Sequence, residues 1–512
     1  MNLRLVPLLL AVVSVPLLAQ SPPNRPIEVP YRQFTLNNGL TVILHQDRSV
    51  PIVAVNIWYH VGSANERPGR TGFAHLFEHL MFEGSKNVQE GEFDTLLEAA
   101  GGNNNGSTNN DRTNYVVDVP ANALELALFL ESDRMGYLLD TMSPERVNGQ
   151  RDVVKNERRQ SYENRPYGMA SIELDKMLWP AGHPYSWPTI GHMEDLTAAS
   201  HEDVVAFFKK YYAPNNASLA IAGDIDYDRT RALVEKWFGE IPRGEPVEPI
   251  APPPAILTGV KRQTLTDQVQ LPRLYLGWLT PRVYAPGDAA LDIASSVLSG
   301  GKNSRLYKRL VYDLQMAQDV SAFQQSGMLG GSFLIVATAR PGKTIAEIQK
   351  VIDEELDRLR REPPDAREVE RAINQVEASF YRRMERVGSF GGKADQLNAY
   401  YAAGGDPDYF AEDLARYTSL SPTDIQAAIV RWLPPDRRIE LIVEPTKRSA
   451  LDIPAEPGSP PRTLARWGGE PGSPPRTLAR WGGEPGSPPR TLARWGGEPL
   501  VGPQYPFSAW RA

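Results

Sequence analysis

Residues 73–82 read Phe-Ala-His-Leu-Phe-Glu-His-Leu-Met-Phe. On a helix, positions i, i+3 and i+4 share one face, so His75, Glu78 and His79 converge. Phe73, Leu76, Phe77 and Leu80 fall at i, i+3, i+4 and i+7 on the opposite face, a stripe that turns toward a core. One short helix thus anchors itself with apolar groups and presents two imidazoles and a carboxylate to one point. Two His four residues apart have the spacing a zinc ion needs, and a carboxylate between them can serve as general base. The bland alternative is a surface helix that happens to carry two histidines. With only seven His in 512 residues, that coincidence is rare.

Working outward, Thr41–His45 and Ile52–Tyr59 are β-rich runs joined by a polar turn at Asp47–Pro51. A helix is predicted near Phe93–Ala100, closed by Gly101-Gly102, then a strand at Tyr115–Val119 and a helix over Ala123–Leu139. Ser143 as N-cap and Pro144 in the first turn open another helix, running to about Tyr162. Helices near 168–178 and 201–212, a strand at Ala217–Ala222 and a helix at Tyr227–Phe238 lead to a Pro-rich stretch, Pro242–Pro254. The second half repeats the plan: strand Leu274–Trp278, helices Asp288–Leu298 and Ser304–Leu314, strands Val320–Phe323 and Ser332–Thr338, long helices, and a closing strand Ile439–Glu444. Strands grouped with helices twice over imply an α+β chain of two similar domains. The expected boundaries are 30–241 for the first domain, 242–266 for a linker and 267–450 for the second domain. His201 is the last His in the chain, so the second copy cannot carry the same metal site.

Charged residues are 23%, hydrophobic residues 41% and the formal net charge is −7, with no basic run that would suit nucleic acid. Residues 1–19 carry Arg4 and an almost wholly apolar Leu5–Leu18, the pattern of a secretory signal peptide. Leu17 sits at −3 if the cut follows Ala19, so an uncleaved anchor is the alternative. No other segment approaches 18 apolar residues, and no stable membrane insertion is expected after cleavage. The absence of Cys excludes disulfides and a lipid-modified cysteine. From Glu456, Glu-Pro-Gly-Ser-Pro-Pro-Arg-Thr-Leu-Ala-Arg-Trp-Gly-Gly recurs at 470 and 484. Pro and Gly dominate this tail (451–512), so no packed core is expected there. Trp467, Trp481 and Trp495 are candidate docking points; a tandem expansion without a selected role is the plainer reading.

Two His need a third protein ligand. The helix from Ser143 contains Gln150-Arg151-Asp152-Val153-Val154-Lys155-Asn156-Glu157, with Glu157 78 positions after His79. From spacing alone, a salt-bridged helix glutamate beside Arg158 and Arg159 is the better reading of Glu157. His-x-x-Glu-His followed by Val-Val-x-x-Glu, however, resembles the pitrilysin/insulinase family of inverted-motif zinc peptidases. The resemblance spans about residues 30–450. It includes Gly101–Thr108, Thr113-Asn114-Tyr115, His183-Pro184-Tyr185 with Ile190-Gly191, and Tyr211–Asn216 leading to Ala222-Gly223-Asp224.

The resemblance implies that His75, His79 and Glu157 bind one zinc ion per chain and that Glu78 activates the zinc-bound water. It implies that Asn105, Gly106, Ser107 and Thr108 form an edge strand on which substrate backbone lies as an added strand. Gly106 stands where relatives often have Ala. Gln150 replaces a second glutamate and is expected to orient the ligands from behind. His183 and His192 are read as structural histidines at the site's rim. The implied architecture is half of a clamshell, each domain a mainly antiparallel sheet covered by helices.

One departure stands out. Active relatives carry an Arg and, seven residues on, a Tyr from the second domain; here those places hold Val311 and Gln318. Arg305 and Tyr312 keep the spacing in the wrong register and are read as decoys, and Arg309 would serve only if the helix were rotated. The expectation is a secreted or periplasmic zinc metalloendopeptidase for peptides or unfolded polypeptides, paired with a sister subunit that brings the Arg/Tyr pair, or with itself. The rival is a non-catalytic pseudo-peptidase subunit acting as a binding or assembly module. A binding protein with an accidental motif would hold no metal.

Overall fold

The computed structural model describes residues 27–446; the signal peptide and repeat-tail readings lie outside the described residues. A six-stranded sheet is built from β1 (Arg32–Thr35), β2 (Thr41–Gln46), β3 (Ile52–Tyr59), β4 (Asn103–Thr108), β5 (Thr113–Pro120) and β6 (Ala217–Gly223), in the order β1-β2-β6-β3-β5-β4. A five-stranded sheet takes β7 (Lys261–Asp267), β8 (Arg273–Thr280), β9 (Ala317–Ser326), β10 (Gly331–Ala339) and β11 (Ile439–Pro445), in the order β7-β11-β8-β10-β9. Without β1, the two orders are the same. Each sheet is antiparallel except for one pair at the same place, β2 with β6 and β7 with β11. The α+β class and the duplicated plan are both present.

The first half carries helices α1 (Phe73–Leu80), α2 (Glu92–Ala99), α3 (Leu124–Tyr137), α4 (Pro144–Arg158), α5 (Met169–Leu178), α6 (Met193–Ala198), α7 (His201–Tyr211) and α8 (Tyr227–Phe238). The second carries α9 (Asp288–Ser299), α10 (Ile345–Arg361), α11 (Ala366–Met384), α12 (Lys393–Gly404), α13 (Phe410–Thr418) and α14 (Pro422–Trp432). Two boundaries differ from expectation. Residues 242–260 carry neither helix nor strand, but 261–266 of the expected linker pair in β7. That strand reads Lys-Arg-Gln-Thr-Leu-Thr-Asp, too polar to announce itself by alternation. The helix expected over Ser304–Leu314 is a π-helical turn at Tyr307–Asp313.

Each sheet buries its second face under helices of the other half. Ile43, Ala54, Ala220 and Ala222 of the first sheet pack against Ala394, Leu397, Tyr400 and Phe410. In return, Leu174, Met177 and Leu178 of α5 pack against Leu334, Val336, Leu441 and Val443 of the second. This exchange explains why β3 and β6 are buried almost throughout rather than alternating. A polar pin runs through the first contact. Asp395 of α12 accepts from Trp58 Nε1 (2.8 Å), Asn114 Nδ2 (2.9 Å), Asn56 Nδ2 (3.3 Å) and the Gly391 amide (2.8 Å).

Asp395→Ala would strand those donors in a dry contact. A loss of about 3 kcal/mol is expected, because unmet buried donors cost more than a hydrogen bond contributes. Urea unfolding measures it, and an unchanged midpoint would show that water replaces the carboxylate.

Candidate metal centre

Helix α1 is held at its start by a backbone lock. Gly72 takes a left-handed conformation (φ 89°) as N-cap, and a Cβ there would meet the Ile190 carbonyl oxygen at 2.9 Å. Glu66 accepts from the amides of Gly72 (2.9 Å) and Ala74 (2.8 Å), meeting donors that the first turn leaves open. Burial pushes its carboxyl up, to about 8, against those amide donors. Phe73, Leu76, Phe77 and Leu80 are all buried in the first core, as the stripe predicts. The helix is fixed both along its axis and about it.

The opposite face carries the cluster. His79 Nε2 lies 3.3 Å and His75 Nε2 3.7 Å from Glu157 Oε2, brought over by α4. One ligand atom from each of the three residues lies within 4.8 Å of the others, the only such group of three among the described residues. Burial lowers the His75 pKa, which favours the neutral imidazole a metal requires, although Glu157 opposes it. Burial also pushes Glu157 up, but the hydrogen bond from His79 and the charges of both imidazoles outweigh it, leaving its pKa lowered. Two imidazole nitrogens and a carboxylate oxygen form the donor set of a His2Glu zinc site.

Glu78 sits between them, buried, with its pKa raised by desolvation despite a hydrogen bond from Thr108 and the charges of His79 and Arg112. Strand β4 is the edge of its sheet, so it has a free side. The four residues grouped by sequence divide between its two faces. Gly106 and Thr108 turn toward Glu78. Ser107 turns away, bonding Asn114 Oδ1 (2.6 Å) and accepting from Arg112 (2.9 Å at its carbonyl), while Asn105 Oδ1 accepts from the Gly106 amide (2.8 Å). Gln150 donates Nε2 to Glu83 (2.5 Å), four residues past His79, so the contact it makes braces the end of α1. His183 is buried, stacked on Trp179, and accepts from the Tyr185 amide. His192 is half-buried and lines a separate groove.

Arg305 forks onto Glu368 (2.9 and 2.6 Å), Arg309 is engaged by Glu354 and Glu355, and Tyr312 is 74% exposed. None of the three is offered to the cluster. Residues that sequence reasoning missed are Glu66, Arg112, Asp395 and the clasp in which Asp111 accepts from Tyr185 Oη (2.5 Å) and the Met328 amide (3.0 Å). Asp395 and Asp111 find their partners far off in sequence, whereas Glu66 and Arg112 bond near neighbours that no periodic pattern links to them.

Residues 41–173 match the family profile described as Insulinase (Peptidase family M16), and residues 198–376 that of the Peptidase M16 inactive domain. The chain belongs to peptidase family M16. "Zinc protease PqqE" of Helicobacter pylori is 28% identical over 401 residues, covering 77% of this chain and 88% of the relative. "Uncharacterized zinc protease YmxG" of Bacillus subtilis is 25% identical over 362 residues, 70% of this chain and 85% of that one. The crystal structure of a protease from Helicobacter pylori aligns with a TM-score of 0.74 at 26% identity, over 82% of this chain and all of that one. The periplasmic protease PqqL from Escherichia coli shares the fold (TM-score 0.67, 16% identity), and the match takes in 82% of this chain but 48% of that one. The clamshell-half architecture of M16 proteins is therefore the architecture here.

A Cβ on Gly106 would lie 3.2 Å from Glu78 Cγ, Phe82 and Tyr115. Gly106→Ala should therefore be tolerated within about 1 kcal/mol, whereas Gly106→Val should cost about 1–3 kcal/mol through overpacking. Denaturant melts of both variants test this. Equal stability would mean that β4 lifts freely away from α1.

Proposed function

We propose that the chain is a zinc metalloendopeptidase acting on peptides or unfolded polypeptides in the periplasm or outside the cell. The observation that carries the reading is the convergence of His75, His79 and Glu157, with buried Glu78 beside them under a free strand edge. When bound, zinc supplies Lewis-acid chemistry, polarising a peptide carbonyl and acidifying water. His75 and His79 would hold it through Nε2 and Glu157 through a carboxylate oxygen. Glu78 would take the proton of the attacking water and return it to the leaving amide nitrogen, its raised pKa making it a stronger base than an exposed glutamate. The edge of β4 would receive substrate backbone through main-chain hydrogen bonds, which favours breadth over side-chain selectivity. For location, the support is the apolar stretch at 5–18 and the likeness to a periplasmic protease; among the described residues no helix is long and apolar enough to cross a membrane.

The reading includes a sister subunit that brings an Arg/Tyr pair. Support comes from Val311 and Gln318 in those places, from the engagement of Arg305 and Arg309 by glutamates, and from PqqL being about twice this unit. The same observations favour the rival, a pseudo-peptidase module, only if no hydrolysis occurs with any partner.

Glu78→Gln should keep zinc and fold yet lose hydrolysis, whereas His75→Ala and Glu157→Ala should lose zinc itself. Metal analysis and a fluorogenic peptide separate the two classes; a metal-loaded Glu78→Gln chain that still cleaves would remove Glu78 from its role. Losing an oxyanion donor commonly costs about 100- to 1,000-fold in rate. The lone chain should therefore be slow and gain about that much when mixed with a homologue carrying the pair. Full activity of the lone chain would refute the division of labour.

A further inference from the structure

An unbroken line of hydrogen bonds runs from the second half to the edge strand. Asp395 on α12 accepts from Asn114 Nδ2 (2.9 Å). Asn114 Oδ1 accepts from the Ser107 hydroxyl (2.6 Å), and that hydroxyl oxygen accepts in turn from Arg112 Nη1 (2.6 Å). A carboxylate can only accept and a guanidinium can only donate, so the amide and the hydroxyl between them have one allowed orientation. The line closes into a ring on its far side. Trp58 donates Nε1 to the same Asp395 oxygen (2.8 Å), and the Arg112 guanidinium lies 5.2 Å from the centre of the Trp58 ring. A ring with a single orientation holds Ser107 against sliding along or away from β5.

Arg112 is engaged in an uncommon way. It is buried, at 8% exposure, yet among the described residues it makes no ion pair. Nη1 is shared between the hydroxyl and the carbonyl (2.9 Å) of Ser107, and Nε is left without a partner. Asp395, Glu78 and Asp111 act on its charge only from beyond ion-pair distance. Burying an unpaired charge is costly, and here that cost secures one residue of β4. Ser107 stands between Gly106 and Thr108, the two that turn toward Glu78. Gly106 has no side chain to hold its own place, and a Cβ there would lie 3.2 Å from Glu78 Cγ, so the strand passes the base at close range. We propose that Ser107 and Arg112 are positioning residues, through which α12 of the second half sets the distance between the β4 edge and Glu78. This rests on the reading of β4 as the edge that receives substrate.

The test compares variants of the zinc-loaded full chain, well below their melting midpoints, by two readouts. Ser107→Ala should lower kcat for a fluorogenic peptide about tenfold to a hundredfold, because a misplacement of about 1 Å can cost that much. KM should stay within about twofold, because the main-chain bonds of an added strand remain. Arg112→Met, an unbranched apolar side chain that can fill the space over Trp58, should behave alike. Ser107→Thr keeps the hydroxyl and should restore kcat. The second readout is amide hydrogen exchange, which both losses should speed about tenfold over β4 while α1 and the zinc content match the parent. Parent kcat in Ser107→Ala would overturn the proposal, as would a loss of activity that tracks loss of zinc. Unchanged exchange over β4 would overturn it as well. A parent chain that cleaves nothing, alone or with a homologue carrying the Arg/Tyr pair, would refute the peptidase reading instead, and exchange would still decide whether the two residues hold β4.

Discussion

Two sheets that must bury both faces, in halves that cannot each cover their own, are the constraint from which the rest follows. The first sheet presents small residues, Ala54, Ala220 and Ala222, to α12 and its neighbours. The second presents Leu334, Val336, Leu441 and Val443 to α5. Apolar area of this kind, at roughly 25 cal/mol per Å2, is worth burying only if both helices arrive. Neither half can therefore shift without opening a core of the other. Asp395 adds direction to a contact that apolar packing alone would leave able to slide.

That rigidity reaches the candidate metal centre through β4 and β5. Asn114 on β5 is tied to Asp395, and Asp111 at the hairpin tip is tied to the turn between β9 and β10. The edge that faces Glu78 is thus braced by the second half, which supplies none of the clustered ligands. Helix α1 is positioned independently, by Glu66 and by the close approach of Gly72 to Gly191. A site of this type tolerates errors of only about 0.5 Å, and two separate braces converging on one point are a means of meeting that limit.

The sequence shows α1 and its two faces because helical periodicity and ligand spacing coincide within ten residues. It shows most strands because β2, β3, β6, β8 and β10 are apolar runs. Strand β7 is hidden because both its faces are polar, and β4, which by composition reads as a loop, Asn-Asn-Asn-Gly-Ser-Thr, is expected as a strand only through resemblance. By spacing Glu157 reads as a salt-bridged helix glutamate, and it becomes a candidate ligand only through resemblance. The exchange of helices between halves has no local signature, since Leu174 and Leu397 look like any other core leucine.

The two halves show how far topology is from chemistry. Apart from β1 the sheets share their order and pairing, yet among the described residues a cluster lies on one half and none on the other. In the second half, α9 buries Asp288, Ser295 and Ser296, and Asp288 is met by Arg416 (2.6 Å) and the Tyr284 amide (3.0 Å). Arg305 and Arg309 are likewise drawn onto α11 and α10 by glutamates. A π-helical turn widens the helix by one residue per turn and could have re-aimed these side chains, as such bulges often do at functional sites. Here the arginines are aimed at the scaffold. In the second half these charged groups are paired with one another, whereas in the first half ligand atoms of His75, His79 and Glu157 lie within 4.8 Å of one another. Convergence of ligand atoms, rather than fold, separates the half that carries the cluster from the half that braces it.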